Sequence, residues 1–228
     1  MKTYLDIGEI ERLEIAATCP RDRLLVRVLS RLGCRVSEAL ALRVRDIDFV
    51  RGEIIIIHLK SRIKCCCPQC NAGLSRSYAF CPRCGITVVQ AVSKEQEHRR
   101  MRTLPVDSDT LDMLRTFVSG SGMACSHREN SLIFGINRHR AWQIVRECGQ
   151  RAGLGQLINP ESGRLRGVSP HRLRDAFAVH AVKTDDSGDG LRLLQEHLGH
   201  TSFDTTARYR KVSGQEHKVW YQKLWERN

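Results

Sequence analysis

The sequence lacks any long apolar segment. Its longest purely aliphatic run is Ile54–Ile57, whereas a helix that spans a bilayer needs about 20 apolar residues. The first residues, MKTYLDIGEIERLE, lack the apolar core of a signal peptide, and no internal repeat or low-complexity segment is evident. These absences exclude membrane, secreted and repeat proteins, and they predict a globular, cytoplasmic protein with no membrane partner.

Acidic residues are scarce relative to basic ones. The chain has 25 Asp+Glu against 37 Lys+Arg, which gives a formal net charge of +12 over 228 residues. A charge of this size favours a polyanionic partner, because each phosphate that is neutralised releases condensed counterions. A basic surface that serves only solubility is the alternative that charge alone leaves open.

Cysteine, in contrast, is abundant and clustered. Six of the ten cysteines lie between Cys65 and Cys84. Because no export signal is present, this clustering indicates a metal site rather than a disulfide framework.

The cluster contains two C-x-x-C turns, CPQC and CPRC, separated by ten residues. Two such turns supply four thiolates in pairs, which is the ligand set of a tetrahedral zinc site. With all four positions filled by protein, the zinc is predicted to be structural rather than catalytic. Cys65 and Cys66 lie outside the paired spacing. The predicted ligands are Cys67, Cys70, Cys81 and Cys84.

Apolar periodicity predicts a mainly helical chain with few strands. Gly33 is predicted to end one helix and Ser37 to cap the next. Short β-branched runs predict two strands, which flank about forty residues with neither pattern. The predicted helices cover residues 22–32, 37–44, 108–118, 137–152, 169–183, 190–198, 202–210 and 214–226, and the predicted strands cover 53–59 and 102–106.

Two residues near the start of one predicted helix suggest a phosphate site. His171 and Arg174 are three residues apart, so they share a face of the helix. An imidazole and a guanidinium at a helix N-terminus can bind phosphate together with the free backbone N–H groups. For this pair alone, a solvated basic helix face is the alternative.

Several dispersed motifs occur in a fixed order. They are GCRVSEALALRVRDID (33–48), HLK (58–60), SPHRLR (169–174), LGH (198–200) and Tyr209, which follows His200 by nine positions. Together they resemble the catalytic domain of the tyrosine recombinases, the phage-integrase and Xer-type family, over nearly the whole chain except the cysteine-rich segment. The resemblance implies an α+β fold over 1–228, mainly helical with a small antiparallel β-sheet. A zinc ribbon, 62–98, is inserted into its β-hairpin.

The resemblance also implies a role for each matched residue. Arg35 and Arg174 correspond to the arginines that hold the scissile phosphate. Tyr209 corresponds to the nucleophile that forms a 3′-phosphotyrosine and releases a 5′-hydroxyl. The bond energy stays in this covalent link, so no catalytic cofactor is expected. The remaining implied roles are general base for His171, phosphate hydrogen-bond donor for His200, general acid for Lys60 and supporting carboxylate for Glu38.

Further basic residues are expected to contact DNA. Lys64, Arg76 and Arg83 belong to the insertion, which in the family's hairpin position would reach the duplex. By the same resemblance, Arg138 and Arg140 precede a helix that would enter the major groove. The family's N-terminal core-binding domain, which completes a clamp around DNA, is not found in this sequence. Either the sequence is a fragment or the zinc module substitutes for part of the clamp, and binding is expected to be weak and only modestly sequence-selective.

The function that the resemblance implies is site-specific DNA recombination or integration on double-stranded DNA, in a tetrameric synapse of identical subunits. Two alternatives are a catalytically silent zinc-ribbon DNA-binding protein and a relaxing enzyme of the type IB topoisomerase kind. The predicted tail helix, with Trp220, Leu224 and Trp225, would dock on a neighbouring subunit or on its own core. Of the other histidines, His180 is predicted to be structural and His197 to face solvent.

Overall fold

A computed structural model describes residues 3–57, 62–75, 78–87, 92–96, 101–120, 129–158 and 163–210, together with residue 222, and describes only the backbone of residues 62–65, 92–96 and 210. The predicted tail helix and Lys60 lie outside these residues. The helices are α1 (Ile7–Ile15), α2 (Pro20–Arg31), α3 (Val36–Ala41), α4 (Ser108–Gly120), α5 (Arg138–Arg151), α6 (Pro170–Thr184), α7 (Gly188–Leu198) and α8 (Phe203–Ala207). The strands are β1 (Ile47–Asp48), β2 (Glu53–Ile57), β3 (Arg62–Cys66), β4 (Gly73–Leu74), β5 (Val92–Gln96), β6 (Met101–Pro105), β7 (Leu157–Ile158) and β8 (Leu165–Arg166).

The chain divides into two compact units. One unit comprises Met1–Ile56 and Arg102–Asn228, and the other comprises Ile57–Met101. The first unit is mainly helical and also contains the small antiparallel sheets β1-β2-β6 and β7-β8. The predicted fold class, an α+β domain dominated by helices, is confirmed.

The helical unit is built around α2. Leu25, Val26, Val28 and Leu29 of this helix are completely buried, because apolar residues recur on its inner faces and α1, α3, α4, α5 and α6 all pack against it. Strands β1, β2 and β6 form a three-stranded sheet in that order. This core fixes the turn between α2 and α3 relative to the N-terminus of α6.

The beginnings of two helices differ from the sequence-based expectation. Helix α1 was not predicted, although Asp6 and Glu9 form a capping box in which each side chain accepts the other's backbone N–H, at 2.9 and 3.0 Å. The predicted cap at Ser37 is wrong, since α3 begins at Val36 and Arg35 is its N-cap residue. Glu38, at the third position of α3, reaches back to the N-cap residue, because its Oε2 accepts the Arg35 N–H at 2.9 Å.

Gly33 ends α2 as predicted and allows a close approach between helices. Its φ of +55° is the left-handed conformation that favours glycine. A Cβ at this position would lie 2.4 Å from Cδ1 of Phe177. The absent side chain therefore lets α6 pack directly on the turn that leads to Arg35.

A second, smaller core joins α6 and α7. The side chains of Ala178, Val182, Leu191, Leu194 and Leu198 are buried together, and the ring of Tyr209 packs against them. Tyr209 itself lies in a short 3₁₀ helix, Arg208–Arg210, directly after α8. Packing therefore determines where the tyrosine ring sits, and its hydroxyl is directed by other residues.

The inserted unit has its own sheet. Strand β3 pairs with β5 and β4 in antiparallel fashion, in the order β4-β3-β5. The unit's range, Ile57–Met101, encloses the predicted insertion 62–98. Among the described residues, no helix is both long and apolar enough to cross a membrane.

Candidate active site and candidate metal centre

Arg174 lies at the centre of the candidate active site. It is 3% exposed, and its guanidinium donates to Gly33 O at 2.7 Å and to Leu198 O at 2.8 Å. Burial and the nearby Arg35 lower its pKa to about 10, so the group stays charged at neutral pH. Two backbone carbonyls from distant parts of the chain thus hold a buried cation in a fixed orientation.

His200 is bonded to this cation. Arg174 Nη2 lies 3.0 Å from His200 Nε2, and since a guanidinium can only donate, Nε2 accepts. Nδ1 therefore carries the proton and donates to Thr206 Oγ1 at 2.9 Å. Burial and then Arg174 lower the pKa of His200 to about 4, which keeps the ring neutral. Before Nε2 of His200 can donate to a phosphate, its bond to Arg174 must break and this nitrogen must gain a proton.

Arg35 and Glu38 form the second part of the site. Arg35 Nη1 lies 3.0 Å from Glu38 Oε1, and the Glu38 side chain is only 1% exposed. The carboxylate thus faces the arginine that the sequence assigns to phosphate binding. Its burial shows that Glu38 needs compensating positive charge, which Arg35 supplies only in part.

Arg102 completes this compensation, and the sequence motifs did not identify it. Its Nη2 lies 2.8 Å from Glu38 Oε2, and its Nε donates to His197 O at 2.8 Å. It therefore connects strand β6, the supporting carboxylate and the end of α7. The available signal was an arginine in a predicted strand, which does not indicate a partner 64 residues away.

We expect Arg102→Met to destabilise the protein, because it leaves Glu38 buried with one cation fewer. Removing one partner of a buried pair costs about 3 to 5 kcal/mol, to be measured as the free energy of unfolding in urea. The double variant Arg102→Met/Glu38→Gln should recover part of the loss, since no buried charge is then left unpaired. Arg115→Met, at an exposed pair with Asp112, is the control and should cost less than about 1 kcal/mol. Equal losses at both arginines would contradict this interpretation.

The hydroxyl of Tyr209 lies close to the remaining motif residues. It donates to Asp175 Oδ1 at 2.9 Å, and His171 Nε2 lies 3.9 Å from that same oxygen. The rings of Tyr209 and His200 are stacked with centroids 6.4 Å apart. Five of the six predicted catalytic residues are thus placed in the helical unit by contacts with one another or with shared neighbours, and Lys60 lies outside the described residues.

The two secondary histidine predictions are wrong. His197 was expected to face solvent, but its Nε2 lies 3.0 Å from Leu32 O and its ring stacks on Phe177 with centroids 4.8 Å apart. Burial lowers its pKa. His180, expected to be structural, is exposed. The helical period alone did not predict which residues of α6 and α7 are buried, because it does not show which side of each helix packs against its neighbours.

The predicted DNA contacts are only partly described. Arg138 and Arg140 are exposed at the N-terminus of α5, where Arg140 has Glu147 as a partner at 3.5 Å. Lys64 lies in β3 without a described side chain, Arg83 is exposed, and Arg76 falls outside the described residues. For these residues, DNA binding stays a prediction.

The four predicted zinc ligands lie together in the inserted unit. The sulfur atoms of Cys67, Cys70, Cys81 and Cys84 all lie within 4.8 Å of one another. Two of the distances are 3.6 Å, from Cys67 to Cys84, and 3.5 Å, from Cys70 to Cys81. Tetrahedral zinc with bonds of about 2.3 Å requires sulfurs about 3.8 Å apart. The donor set and its spacing therefore fit a zinc ion.

The two turns of this cluster have the same backbone pattern. Each residue after the second cysteine has a positive φ, +57° at Asn71 and +74° at Gly85. In each turn the N–H of this residue bonds to the carbonyl of the first cysteine, at 3.0 Å for Cys67 and 2.9 Å for Cys81. The backbone N–H groups of Cys84 and Arg83 lower the pKa of Cys81 to about 6. Two matched turns with converging sulfurs make this cluster a candidate metal site.

The fold and site can now be compared with known proteins. Residues 83–216 match the Phage integrase family. The chain is 30% identical to tyrosine recombinase XerD of Neisseria meningitidis serogroup B over 202 residues, covering 89% of this chain and 53% of that protein. It is also 30% identical to tyrosine recombinase XerA of Pyrococcus furiosus over 199 residues, covering 87% and 52%. The chain thus spans about half the length of the curated relatives it matches.

Solved structures show the same fold. A crystal structure of XerA recombinase superposes with a TM-score of 0.64 at 20% identity, covering 100% of this chain and 67% of that one. The Tn1549 transposon integrase in complex with transposon right end DNA superposes with a TM-score of 0.62 at 14% identity, covering 98% and 66%. The match to the Phage integrase family covers more than half of the chain, and the similar proteins and solved structures agree with it: the chain belongs to the phage integrase family.

Proposed function

We propose that this protein is a site-specific DNA recombinase that cuts and rejoins strands through a covalent bond between Tyr209 and a 3′-phosphate. The observation that carries the proposal is the grouping of Tyr209 with Arg174, His200 and His171 in a single family fold. A tyrosine that served only packing would need neither the buried Arg174 cation nor the ring of His200 near it.

Each residue of the candidate site has a separate role in the cleavage reaction. Arg174 and Arg35 hold the non-bridging oxygens of the phosphate, and their charge stabilises the transition state more than the ground state because negative charge increases there. Glu38 and Arg102 keep Arg35 in place. Lys60, by the family resemblance, protonates the leaving 5′-oxygen. The reaction exchanges one phosphodiester for another, so it needs no external energy source.

The proposal is tested by trapping the covalent intermediate. A duplex nicked close to the cut site loses the short released strand by diffusion, which prevents rejoining. We expect a protein–DNA adduct on denaturing gels in the absence of ATP and magnesium. Good DNA binding without an adduct on any substrate would favour the catalytically silent DNA-binding protein. Repeated relaxation of supercoiled DNA by a monomer would favour the type IB topoisomerase alternative.

The proposed partner is double-stranded DNA, bound by a homotetramer during strand exchange. The net charge of +12 supports a phosphate-binding surface. XerH site-specific recombinase has been solved bound to its difH substrate in a pre-cleavage complex, with a TM-score of 0.59 to this chain. In strand exchange each subunit supplies one tyrosine, so the tetramer follows from the proposed reaction with two duplexes.

We expect the exposed arginines of α5 to contribute to DNA affinity. Arg138→Ala and Arg140→Ala should each weaken binding about equally on different sequences if they contact phosphate, and each should reduce the slope of log K against log salt by about 1. The measurement is a salt series of binding constants by fluorescence anisotropy. Arg12→Ala, an exposed arginine on α1, is the control. Unchanged slopes for both α5 variants would contradict a role in phosphate contact.

We also propose that the four-cysteine cluster binds one structural zinc ion. Its supporting observations are the four converging sulfurs and the two matched turns. All four positions of the ion are occupied by protein, so the zinc supplies folding energy to the insertion and takes no part in the chemistry.

We expect one zinc per chain by elemental analysis of protein purified without chelator. Cys81→Ser should remove the metal and lower the protection of 57–101 against proteolysis, because binding energy of the ion is folding energy for this unit. Cys19→Ser, outside the cluster, should retain the full zinc content. Clearly less than one zinc in the unchanged protein would contradict the site.

A further inference from the structure

The hydroxyl of Tyr209 has a hydrogen-bond partner that none of the sequence motifs includes. It donates to Oδ1 of Asp175, the residue after Arg174 on α6, at 2.9 Å. Among the described residues, His171 receives no hydrogen bond from this hydroxyl, and its Nε2 lies 3.9 Å from the same carboxylate oxygen. The proton that Tyr209 must lose on attack is therefore directed at a carboxylate, not at an imidazole.

The Asp175 carboxylate is fixed in this position. Its other oxygen, Oδ2, lies 3.4 Å from Arg172 Nη1, and the residue is 6% exposed. The Arg172 guanidinium holds one oxygen, and the second accepts the Tyr209 hydroxyl at 2.9 Å, closer than His171 Nε2 at 3.9 Å. Fixed orientation is what a proton acceptor needs, because transfer requires a short distance at the moment of attack.

Because Tyr209 is a very weak acid, its attack on phosphorus requires such a proton acceptor. Burial, and then the negative charge of Asp175, raise the pKa of Tyr209 well above its usual value, although Arg174 acts in the opposite direction. Tyrosinate is consequently scarce at neutral pH and cannot serve as a preformed nucleophile. The phenolic proton becomes strongly acidic only as the oxygen bonds phosphorus, so a base must take it during that step.

We propose, resting on the recombinase function above, that Asp175 is the general base for Tyr209. As the Tyr209 oxygen bonds phosphorus, its proton passes to Asp175 Oδ1 and the P–O5′ bond breaks. The leaving 5′-oxygen takes its proton from a separate general acid. In rejoining, the 5′-hydroxyl attacks the phosphotyrosine and gives its proton back to that general acid, the bond between phosphorus and the Tyr209 oxygen breaks, and Asp175 returns the proton to Tyr209. Neither cleavage nor rejoining requires an oxidant, a reductant or a cofactor.

The test compares Asp175→Asn with His171→Gln, the residue that the family resemblance assigns as the base. Asparagine keeps the shape and an accepting oxygen, but it cannot take a proton. The substrate is a nicked duplex with sulfur in place of the bridging 5′-oxygen at the cut site. A thiolate leaves without protonation, so loss of a general acid has little effect and loss of a base remains visible. Circular dichroism and DNA binding confirm that each variant folds and binds.

We expect adduct formation by Asp175→Asn to be about a hundredfold to ten-thousandfold slower than that of the native protein at pH 7. Its rate should rise about tenfold per pH unit, since only tyrosinate formed by solvent can attack, and the deficit should shrink at high pH. His171→Gln should keep the native pH profile. The native protein and Asp175→Asn share the other groups that face the pair, namely His171, Arg172 and Arg174 from α6, His200 and Tyr4. The titration of these groups therefore largely cancels in the ratio of the two rates.

The outcomes separate the two proposals. An Asp175→Asn rate equal to or above the native rate would overturn the assignment, as would a slower rate with an unchanged pH profile, which indicates a structural role. A hydroxide-dependent profile in His171→Gln alone would identify the histidine as the base instead. If the native protein forms no adduct on this substrate, the recombinase function fails, and the base assigned here fails with it.

Discussion

Arg174→Ala should reduce the rate of adduct formation by about a thousandfold or more. Removing a single donor that stabilises transition-state charge costs about 2.7 to 4 kcal/mol in enzymes of known mechanism. Arg174 supplies a full charge in a buried site, and its removal also leaves Gly33 O, Leu198 O and His200 Nε2 without their donor. Arg174→Lys should recover little, because one ammonium cannot reproduce the planar fork that reaches two carbonyls and the histidine.

The measurement is the single-turnover rate on a nicked duplex at saturating protein. DNA affinity and the unfolding midpoint are measured in parallel, so that loss of chemistry is separated from loss of fold. Arg192→Ala provides the control, since this arginine is exposed on α7 and its ion pairs among the described residues are with Asp189 and Glu196 on its own helix. An Arg174→Lys rate within about threefold of the native rate would contradict the role given to the guanidinium.

Tyr209→Phe should abolish the adduct and leave DNA binding intact. The substitution removes one oxygen, and the ring still packs on the small core of α6 and α7. Loss of the hydrogen bond to Asp175 should cost about 1 to 3 kcal/mol of stability, because a buried carboxylate oxygen loses its donor. The variant is therefore expected to be folded, to bind and to be inactive.

Adduct yield and binding are measured on the same duplex, and thermal unfolding reports the change in stability. Tyr78→Phe, in the inserted unit, is the matched control and should retain full activity. An adduct that persists in Tyr209→Phe would point to another nucleophile, with Tyr221 as the next candidate along the chain.

The sequence pointed to dispersed residues that the fold places close together, because their identity and order carry the information; their catalytic roles stay predictions. Arg35, His171, Arg174, His200 and Tyr209 belong to short motifs, and each motif includes the turn or helix start that positions it. The same holds for the cysteine turns, where a proline and a residue of positive φ define each knuckle.

Asp175 and Arg102 could not be predicted in this way. Asp175 is one more polar residue of α6, and its meaning depends on Tyr209, 34 residues away, folding back to reach it. Arg102 acquires its role from the burial of Glu38, which the helical period alone did not indicate. Both residues act through side-chain contacts between elements distant in sequence, and such contacts are determined by tertiary packing.

The same limit explains the errors at helix ends and faces. Ser37 is a good capping residue by type, yet Glu38 supplies the bond to the Arg35 N–H. His197 was expected to face solvent, but the end of α2 contributes the Leu32 carbonyl to its ring. The cap was thus determined by a neighbouring side chain, and the environment of His197 by a residue 165 positions away.

The most direct test of the central claim identifies the residue that carries the DNA in the trapped adduct. Native protein is incubated with a nicked duplex without ATP or magnesium, the DNA is digested to a short remnant, and the protein is analysed by peptide mass spectrometry. We expect one modified peptide, with a nucleotide 3′-phosphate on Tyr209 and a free 5′-hydroxyl on the released strand. A remnant on any other residue, or a 5′-phosphate link, would contradict it.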